Sequence, residues 1–529
     1  MRSRIPTRAA GPLMLASVLV QGCLVGPNYV EPEVAMPDQW NAAVAEEMSQ
    51  PEPDISKWWD TLGDTTLTSL IRRAELSNLD LWTAVARVKE SRAARGIAKG
   101  DFFPQIGLNG SYTYFQLSEN SIQGQAIVDA GGTIEPDDQW SFSLGAFWEI
   151  DLFGRIRRQN EAAKAGFEAS IEDFRDVLVS LYAEVAASYV DLRTSQTRLE
   201  FAHRNAASQR RTLQLTRDRF NAGLVSALDV TQAQTNLAST EAEIPSLQIA
   251  LNNALNRLAV LLGQQPGTLH AELGPAAPIP TPPEEVATGL PTELLRRRPD
   301  VRRAERLLAS QTALVGVATA DLYPSFSLGG VLQLVAGAFG DLGQSESVGW
   351  SLIPGVRWNL FTGGKIRSNI KVQEARTEQL LYQYEQSVLL ALEEVEDALV
   401  AFAREQVRRD RLAEGVAAAE RSVEIVRTQY LSGLVDFQRY VDSERELTQQ
   451  QDLLARSEGQ VIQNLVALNR ALGGGWSPDA QDPDKQTART DDTDQAESGP
   501  TEGAGQGETG PAPEPTEPTE PTEPTEPNN

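Results

Sequence analysis

Two hydrophobic rhythms alternate along this chain, and the alternation occurs twice. Within 105–114, apolar or small residues take every second place: Ile106, Leu108, Gly110, Tyr112 and Tyr114. Within 140–152 the same side carries Trp140, Phe142, Leu144, Ala146, Trp148, Ile150 and Leu152. Phe326, Leu328, Leu332 and Leu334 repeat the pattern at about 325–335, and Trp350, Leu352, Val356 and Trp358 at about 349–359. A period of two puts these residues on one face of a β-strand. Runs of roughly ten residues with aromatics near their ends suit tilted strands that cross a membrane. Half-buried strands of a soluble sandwich alternate in the same way, so periodicity leaves both readings open.

Between the strand pairs the period lengthens. Residues 155–221 contain no proline, and Leu178, Leu181, Val185 and Leu192 fall on a heptad-like seam. A helix of this extent reaches about 100 Å at ~1.5 Å per residue. Gly223 stops it, and a second helix is predicted over 227–262, with Pro245 expected to kink it. The pair returns at 365–431 and 437–472, and shorter helices are predicted at 78–99 and 302–320. Helices this long belong to a coiled coil or an elongated bundle.

The recurrence has a fixed offset. Arg219-Phe220-Asn221-Ala222-Gly223-Leu224-Val225 returns as Gln429-Tyr430-Leu431-Ser432-Gly433-Leu434-Val435, a shift of 433 − 223 = 210. Trp148 and Trp358, Gly154 and Gly364, and Gly263 and Gly473 obey the same shift. Asp101-Phe102-Phe103-Pro104 returns as Asp321-Leu322-Tyr323-Pro324 at a shift of 220. Two copies of one supersecondary plan follow. Four strands cannot close a barrel, for which about eight are needed. Strands must therefore be pooled between chains, and three chains give twelve in an obligate homotrimer.

Net charge of −26 over 529 residues argues against a nucleic-acid partner. Much of that charge is concentrated after Ser477, where fourteen acidic residues face only Lys485 and Arg489 and Thr-Glu-Pro repeats close the chain. Such a composition predicts an acidic, disordered tail. At the other end, Arg2, Arg4 and Arg8 precede the apolar run Leu13–Val20 and Gly22-Cys23, the layout of a signal peptide. Cys23 is the sole cysteine, which excludes a disulfide within one chain and a thiolate metal cluster. No later stretch has the 18 apolar residues of a membrane helix, so any crossing must use a closed barrel. His203 and His270 are the only histidines, without metal spacing, and no nucleophile elbow or phosphate loop is present. An enzyme is not expected, nor is a cofactor beyond a covalent lipid.

Cys23 directly after the apolar core resembles the lipid acceptor of a bacterial lipoprotein, although Gln21 occupies a slot usually held by a small residue. Leu24 in place of aspartate favours outer-membrane delivery by that resemblance. Val25-Gly26-Pro27-Asn28-Tyr29, Trp58-Trp59, Asn78-Leu79-Asp80-Leu81 and Arg297-Arg298-Pro299-Asp300-Val301-Arg302 are similar to the TolC-like outer-membrane factor family, in its lipoprotein branch. The resemblance implies an α+β membrane protein: a trimeric 12-strand outer-membrane β-barrel, four strands per chain, continued by a long α-helical coiled-coil periplasmic tunnel. It further implies a passive exit duct in the outer membrane of a Gram-negative bacterium. Its partners would be a periplasmic adaptor (membrane fusion) protein and a proton-driven inner-membrane transporter. Two alternatives are carried: a duct for type I protein secretion, and a lipoprotein scaffold that spans the periplasm without conducting.

On this basis the chain divides into a signal peptide (1–22), a lipid anchor with an extended segment (23–61), and a first repeat (62–263). A linker (264–290), a second repeat (291–473) and the tail (474–529) follow. Gly223, Ser226, Gly433 and Asp436 are what any helical hairpin needs as caps. Capping does not explain Leu224, Val225, Leu434 and Val435, apolar pairs at exposed hairpin tips; with Gly223 and Gly433 the resemblance makes them the adaptor contact. Arg439, Asp442 and Arg445 share a helix face at steps of three. A solvated charge stripe is one reading; the resemblance places Asp442 and Arg445 at a periplasmic gate, with Arg439 departing from an all-acidic entrance ring. Trp58 and Trp59 are expected to pack in a belt around the tunnel.

Overall fold

A computed structural model describes residues 24–41, 55–283 and 290–477. Cys23 and the acidic tail lie outside the described residues. The elements in chain order are α1 (Thr65–Ser77), α2 (Leu79–Gly100), β1 (Gln105–Phe115), α3 (Ile122–Asp129), β2 (Asp137–Ile150), α4 (Arg155–Asn221) and α5 (Ala227–Leu261). They continue with α6 (His270–Leu273), α7 (Leu294–Arg297), α8 (Pro299–Ala320), β3 (Ser325–Ala336), β4 (Val348–Arg357), α9 (Lys365–Leu431) and α10 (Phe437–Ala471). Helical assignment runs unbroken through Pro245 in α5. Asp151 and Leu152 fall outside β2, because Asp151 turns to bind the Arg157 backbone N–H and guanidinium at the start of α4. Helix α8 begins three residues before the predicted 302, since Pro299 supplies a preset φ at the first helical position.

The strands form one antiparallel sheet in the order β1-β2-β3-β4. Across the sheet the helices stand in the same order as columns. Helix α4 packs against α2 and α5 on one side and α8 and α10 on the other, and α9 packs against α8 and α10. Each short helix stacks end to end on a hairpin helix, so two of the four columns are composite. At one joint Asn78 caps α2 while its Nδ2 donates to the Leu261 carbonyl at 2.9 Å, satisfying an orphan acceptor of α5. At the other, Arg298 Nη1 donates to the Ala471 carbonyl at 2.9 Å. The offsets are 298 − 78 = 220 and 471 − 261 = 210, those found in the sequence. Similarly, Trp148 Nε1 donates to the Phe102 carbonyl at 3.0 Å and Trp358 Nε1 to the Leu322 carbonyl at 3.1 Å, tying each strand foot to the turn before its neighbour.

The largest core lies at the level of the joints. Leu178, Leu181, Val185 and Leu192 are all buried there with Leu67, Leu70 and Ile71 of α1, and the Trp59 ring meets Tyr182 edge-on at 4.8 Å between centroids. Two expected boundaries shift here. Leu269 and Leu273 join this core, so part of the 264–290 segment is packed structure rather than linker. Gly474-Gly475-Trp476 also belongs to the body: Gly475 N–H donates to the Ile55 carbonyl, and the buried Trp476 donates to the Arg297 carbonyl.

Residues 24–41 form an extended strap. Val25 N–H donates to the Phe153 carbonyl at the foot of the sheet, and the fully buried Arg158 donates to the carbonyls of Val25 and Gly26 and to Asn28 Oδ1. Gly26 has φ of 84°, and a Cβ there would come within 2.4 Å of Gly316 Cα, so no other residue fits this crossing. Further along, Asn41 N–H donates to Glu396 at 2.6 Å. Among the described residues, no helix is long and apolar enough to cross a membrane, whereas the strands expose Leu108, Trp350, Leu352 and Val356 at 64–78%.

Candidate functional site

Both hairpin tips close by the same device. In the first, Leu224 N–H donates to the Arg219 carbonyl and Gly223 N–H to the Phe220 carbonyl, while Gly223 takes φ of 72°. In the second, Leu434 N–H donates to Gln429 and Gly433 N–H to Tyr430, with Gly433 at 73°. Left-handed glycine followed by a long back-bond is the Schellman stop. Ser226 and Asp229 then form a capping box on α5, and Asp436 caps α10 through the Arg439 N–H. Leu224 and Leu434 project into solvent at 68% and 75% exposure. Val225 and Val435 are half-buried, and Val435 leans on the aromatic cluster of Tyr430, Phe437 and Tyr440 beneath the tip. Arg219 lies 4.7 Å over the Tyr430 ring, tying one hairpin to the other.

Arg439, Asp442 and Arg445 are all exposed on α10. Two of them are brought together: Arg445 Nη1 is 3.7 Å from Asp442 Oδ1, and Gln438 also donates to Asp442 at 2.8 Å. Arg439 contributes its backbone N–H to the Asp436 cap and takes no part in that pair. The two hairpins meet through residues the sequence reading passed over. Arg445 Nε donates to Asn236 Oδ1 at 3.1 Å, and the same amide donates through Nδ2 to Glu444 Oε2 at 3.4 Å. Glu444 Oε1 accepts from the Thr212 hydroxyl at 2.9 Å, and Tyr440 lies 3.2 Å from that hydroxyl. Thr212, Asn236 and Glu444 are all buried. Burial pushes the Glu444 carboxyl above the usual carboxylate range, opposed by the Thr212 and Tyr440 hydrogen bonds and by Arg427. Burial likewise pushes Tyr440 up to about 12. A signal was available: Phe437, Tyr440, Val441 and Glu444 share one helical stripe, and a carboxylate on an otherwise apolar face must find donors.

His270 Nε2 lies 2.9 Å from Asn252 Oδ1. Among the described residues, no cluster of three or more His, Cys, Asp or Glu could hold a metal ion.

A sequence model of the outer membrane efflux protein family matches residues 70–264 and 290–474, one match per strand-and-hairpin unit. The chain is 31% identical to Nodulation protein T of Rhizobium leguminosarum bv. trifolii over 88% of its own length and 97% of that protein. It is 29% identical to the pyoverdine export outer membrane protein OpmQ of Pseudomonas aeruginosa, covering 89% of this chain and 97% of OpmQ. Among solved structures, the outer-membrane channel OprN superposes with a TM-score of 0.81 at 36% identity, covering 86% of this chain and all of OprN. A sheet with an apolar exposed face, long paired hairpins and these matches together place the chain in the outer membrane efflux protein family, as an outer-membrane channel component of an efflux system in Gram-negative bacteria.

Proposed function

We propose that three copies of this chain pool their sheets into one twelve-strand barrel and their helical columns into a tunnel, which conducts solutes passively out of the cell. The observation that carries this reading is the open sheet. Its β1 and β4 edges have no partner among the described residues, while its strands expose large apolar side chains. Lipid tolerates neither free edges nor an unclosed sheet. Transport is driven by an inner-membrane pump, proton-driven, through a periplasmic adaptor. The adaptor binds Leu224 and Leu434 at the hairpin tips, helped by Val225 and Val435. Asp442 and Arg445, backed by Asn236 and Glu444, hold the tunnel entrance shut; Arg439 adds positive charge beside them.

Cys23 carries the covalent lipid. Support comes from its neighbours, because Leu24 lies against Gly154 and Val25 is bonded to Phe153 at the sheet foot, where the membrane surface would be. Palmitate labelling that survives Cys23→Ser would remove this anchor. The duct itself is tested by single-channel recording on the purified oligomer: stepwise ion conductance is expected, and a trimer that inserts but never conducts refutes the reading.

A further inference from the structure

The internal offsets hold at the level of single residue contacts. In the β1–β2 pair Gln105 faces Phe147, so facing numbers sum to 252; in β3–β4 Ser325 faces Arg357, and they sum to 682. The difference, 682 − 252 = 430, equals the two sequence offsets, 220 + 210. The column joints and the paired tryptophan bonds obey the same offsets, so sheet, belt and helices share one relation. That relation also says what the open edges want. Within the chain, the first unit presents β2 and α4 to β3 and α8 of the second. Among the described residues the second unit presents the corresponding side of β4 and α9 to no further element, and β1 and α2 are equally uncovered on the far side.

We infer that β4 of one copy pairs antiparallel with β1 of its partner at residue numbers summing to 466, and that Tyr382 on α9 packs against the partner's Trp82 on α2. The inference rests on the three-copy reading above. In β2–β3, Trp140 faces Ala336 and the numbers sum to 476. Carrying β2 forward by 210 and β3 back by 220 gives 476 + 210 − 220 = 466. Leu352 then faces the partner's Tyr114, and Val356 faces the partner's Gly110. Leu352, Val356 and Tyr114 are each at least 64% exposed in the single chain, and this register places them together on the lipid side. The helical contact follows from the same transfer. Within the chain Arg302 of α8 pairs with the buried Glu172 of α4 at 2.8 Å, and Arg303 and Arg306 pair with Asp173 and Glu168. The equivalent positions hold no such ion pairs: Tyr382, Gln383 and Glu378 on α9 meet the partner's Trp82, Thr83 and Ala86, and the one carboxylate among them, Glu378, accepts from the Tyr382 hydroxyl within its own helix. Tyr382 is 58% exposed and its hydroxyl is held by Glu378, which leaves the ring face free to stack. An ion-paired seam inside the chain becomes an aromatic seam without cross-chain ion pairs between chains. A Cβ placed on Gly96, equivalent to Gly316, would meet nothing within 4 Å in the single chain, so this position of the partner leaves room for Ser368 to approach.

Cysteine pairs in the full-length chain test the register, with the native Cys23 protein as background control. Opposed residues alternate between close and wide pairs, so L352C/Y114C and I353C/T113C between them include one close pair. After oxidation in membranes, one of these variants is expected to give covalent dimers and trimers at least tenfold more than the shifted pairs L352C/Y112C and I353C/S111C. Stronger linkage in the shifted pairs, with a trimer intact by native mass, overturns the register and leaves the three-copy reading standing. A wild-type protein that is monomeric by native mass overturns both. Independently, Tyr382→Ala is expected to lower the temperature at which the trimer dissociates and Tyr382→Phe to leave it unchanged; equal behaviour of the two variants refutes the aromatic seam.

Discussion

Asn236 is the residue whose loss should most clearly open the tunnel entrance. Its amide is shared: Nδ2 serves the buried Glu444 and Oδ1 serves Arg445, so Asn236→Leu, a change of similar volume, cuts both bonds. Removing a donor from a buried carboxylate costs about 1–3 kcal/mol. The Arg445 side chain is half exposed, so its bond adds only about 0.5 kcal/mol. Summed over three copies the change reaches about 5–10 kcal/mol, against the ~5.5 kcal/mol that reverses a 99:1 closed population. Asp442→Ala removes an exposed ion pair worth about 0.2–1 kcal/mol, at most ~3 kcal/mol over three copies, which falls short. Planar-bilayer conductance should therefore rise far more for Asn236→Leu than for Asp442→Ala. Acidity separates the two as well. Because the folded Glu444 carboxyl is raised, its contribution to stability is fully present below the ordinary carboxylate range and is lost as pH rises through the raised value. Removing the Asn236 donor deepens that loss, so the Asn236→Leu leak should shrink on acidification through the same window. An Asp442→Ala channel that leaks as much as Asn236→Leu, in trimers of equal stability, would refute the reasoning.

Other consequences are open to direct measurement. Gly433→Ala places a Cβ on a residue at φ of 73°, costing about 1–2 kcal/mol locally, and faster amide exchange at Leu434 is the readout. Leu224→Asp with Leu434→Asp should weaken adaptor binding at least tenfold by titration while conductance stays unchanged, since both side chains point into solvent and support no core. At the column joints Arg298→Ala should lower thermal stability more than Asn78→Ala: Asn78 supplies a cap and one neutral bond, about 1–3 kcal/mol, whereas Arg298 leaves Asp300 and the Ala471 carbonyl without their buried cation.

The sequence by itself determined the four strands, the long hairpins and their duplication, but not the short helices α1, α3, α6 and α7. Period-two runs marked all four strands, a proline-free heptad-like seam marked the first 67-residue helix and the fixed offset marked its copy, and Gly223 and Gly433 with Ser226 and Asp436 marked the turns. These signals are local, carried by residues one helical turn or one strand step apart, so the chain alone suffices. Spacing put Arg439, Asp442 and Arg445 on one helix face; the gate role of Asp442 and Arg445 came from the family resemblance rather than from spacing. The tertiary structure decided what lies far apart in sequence. Leu269, Leu273 and Trp476 read as linker and tail, yet they are buried in the largest core, against helices that lie far from them in sequence. Glu444 reads as one more charge on a charged helix; it becomes a buried clasp only because Thr212 and Asn236 arrive from the other hairpin, more than 200 residues away. A desolvated carboxylate is tolerable only where donors converge, and convergence is a property of packing rather than of spacing.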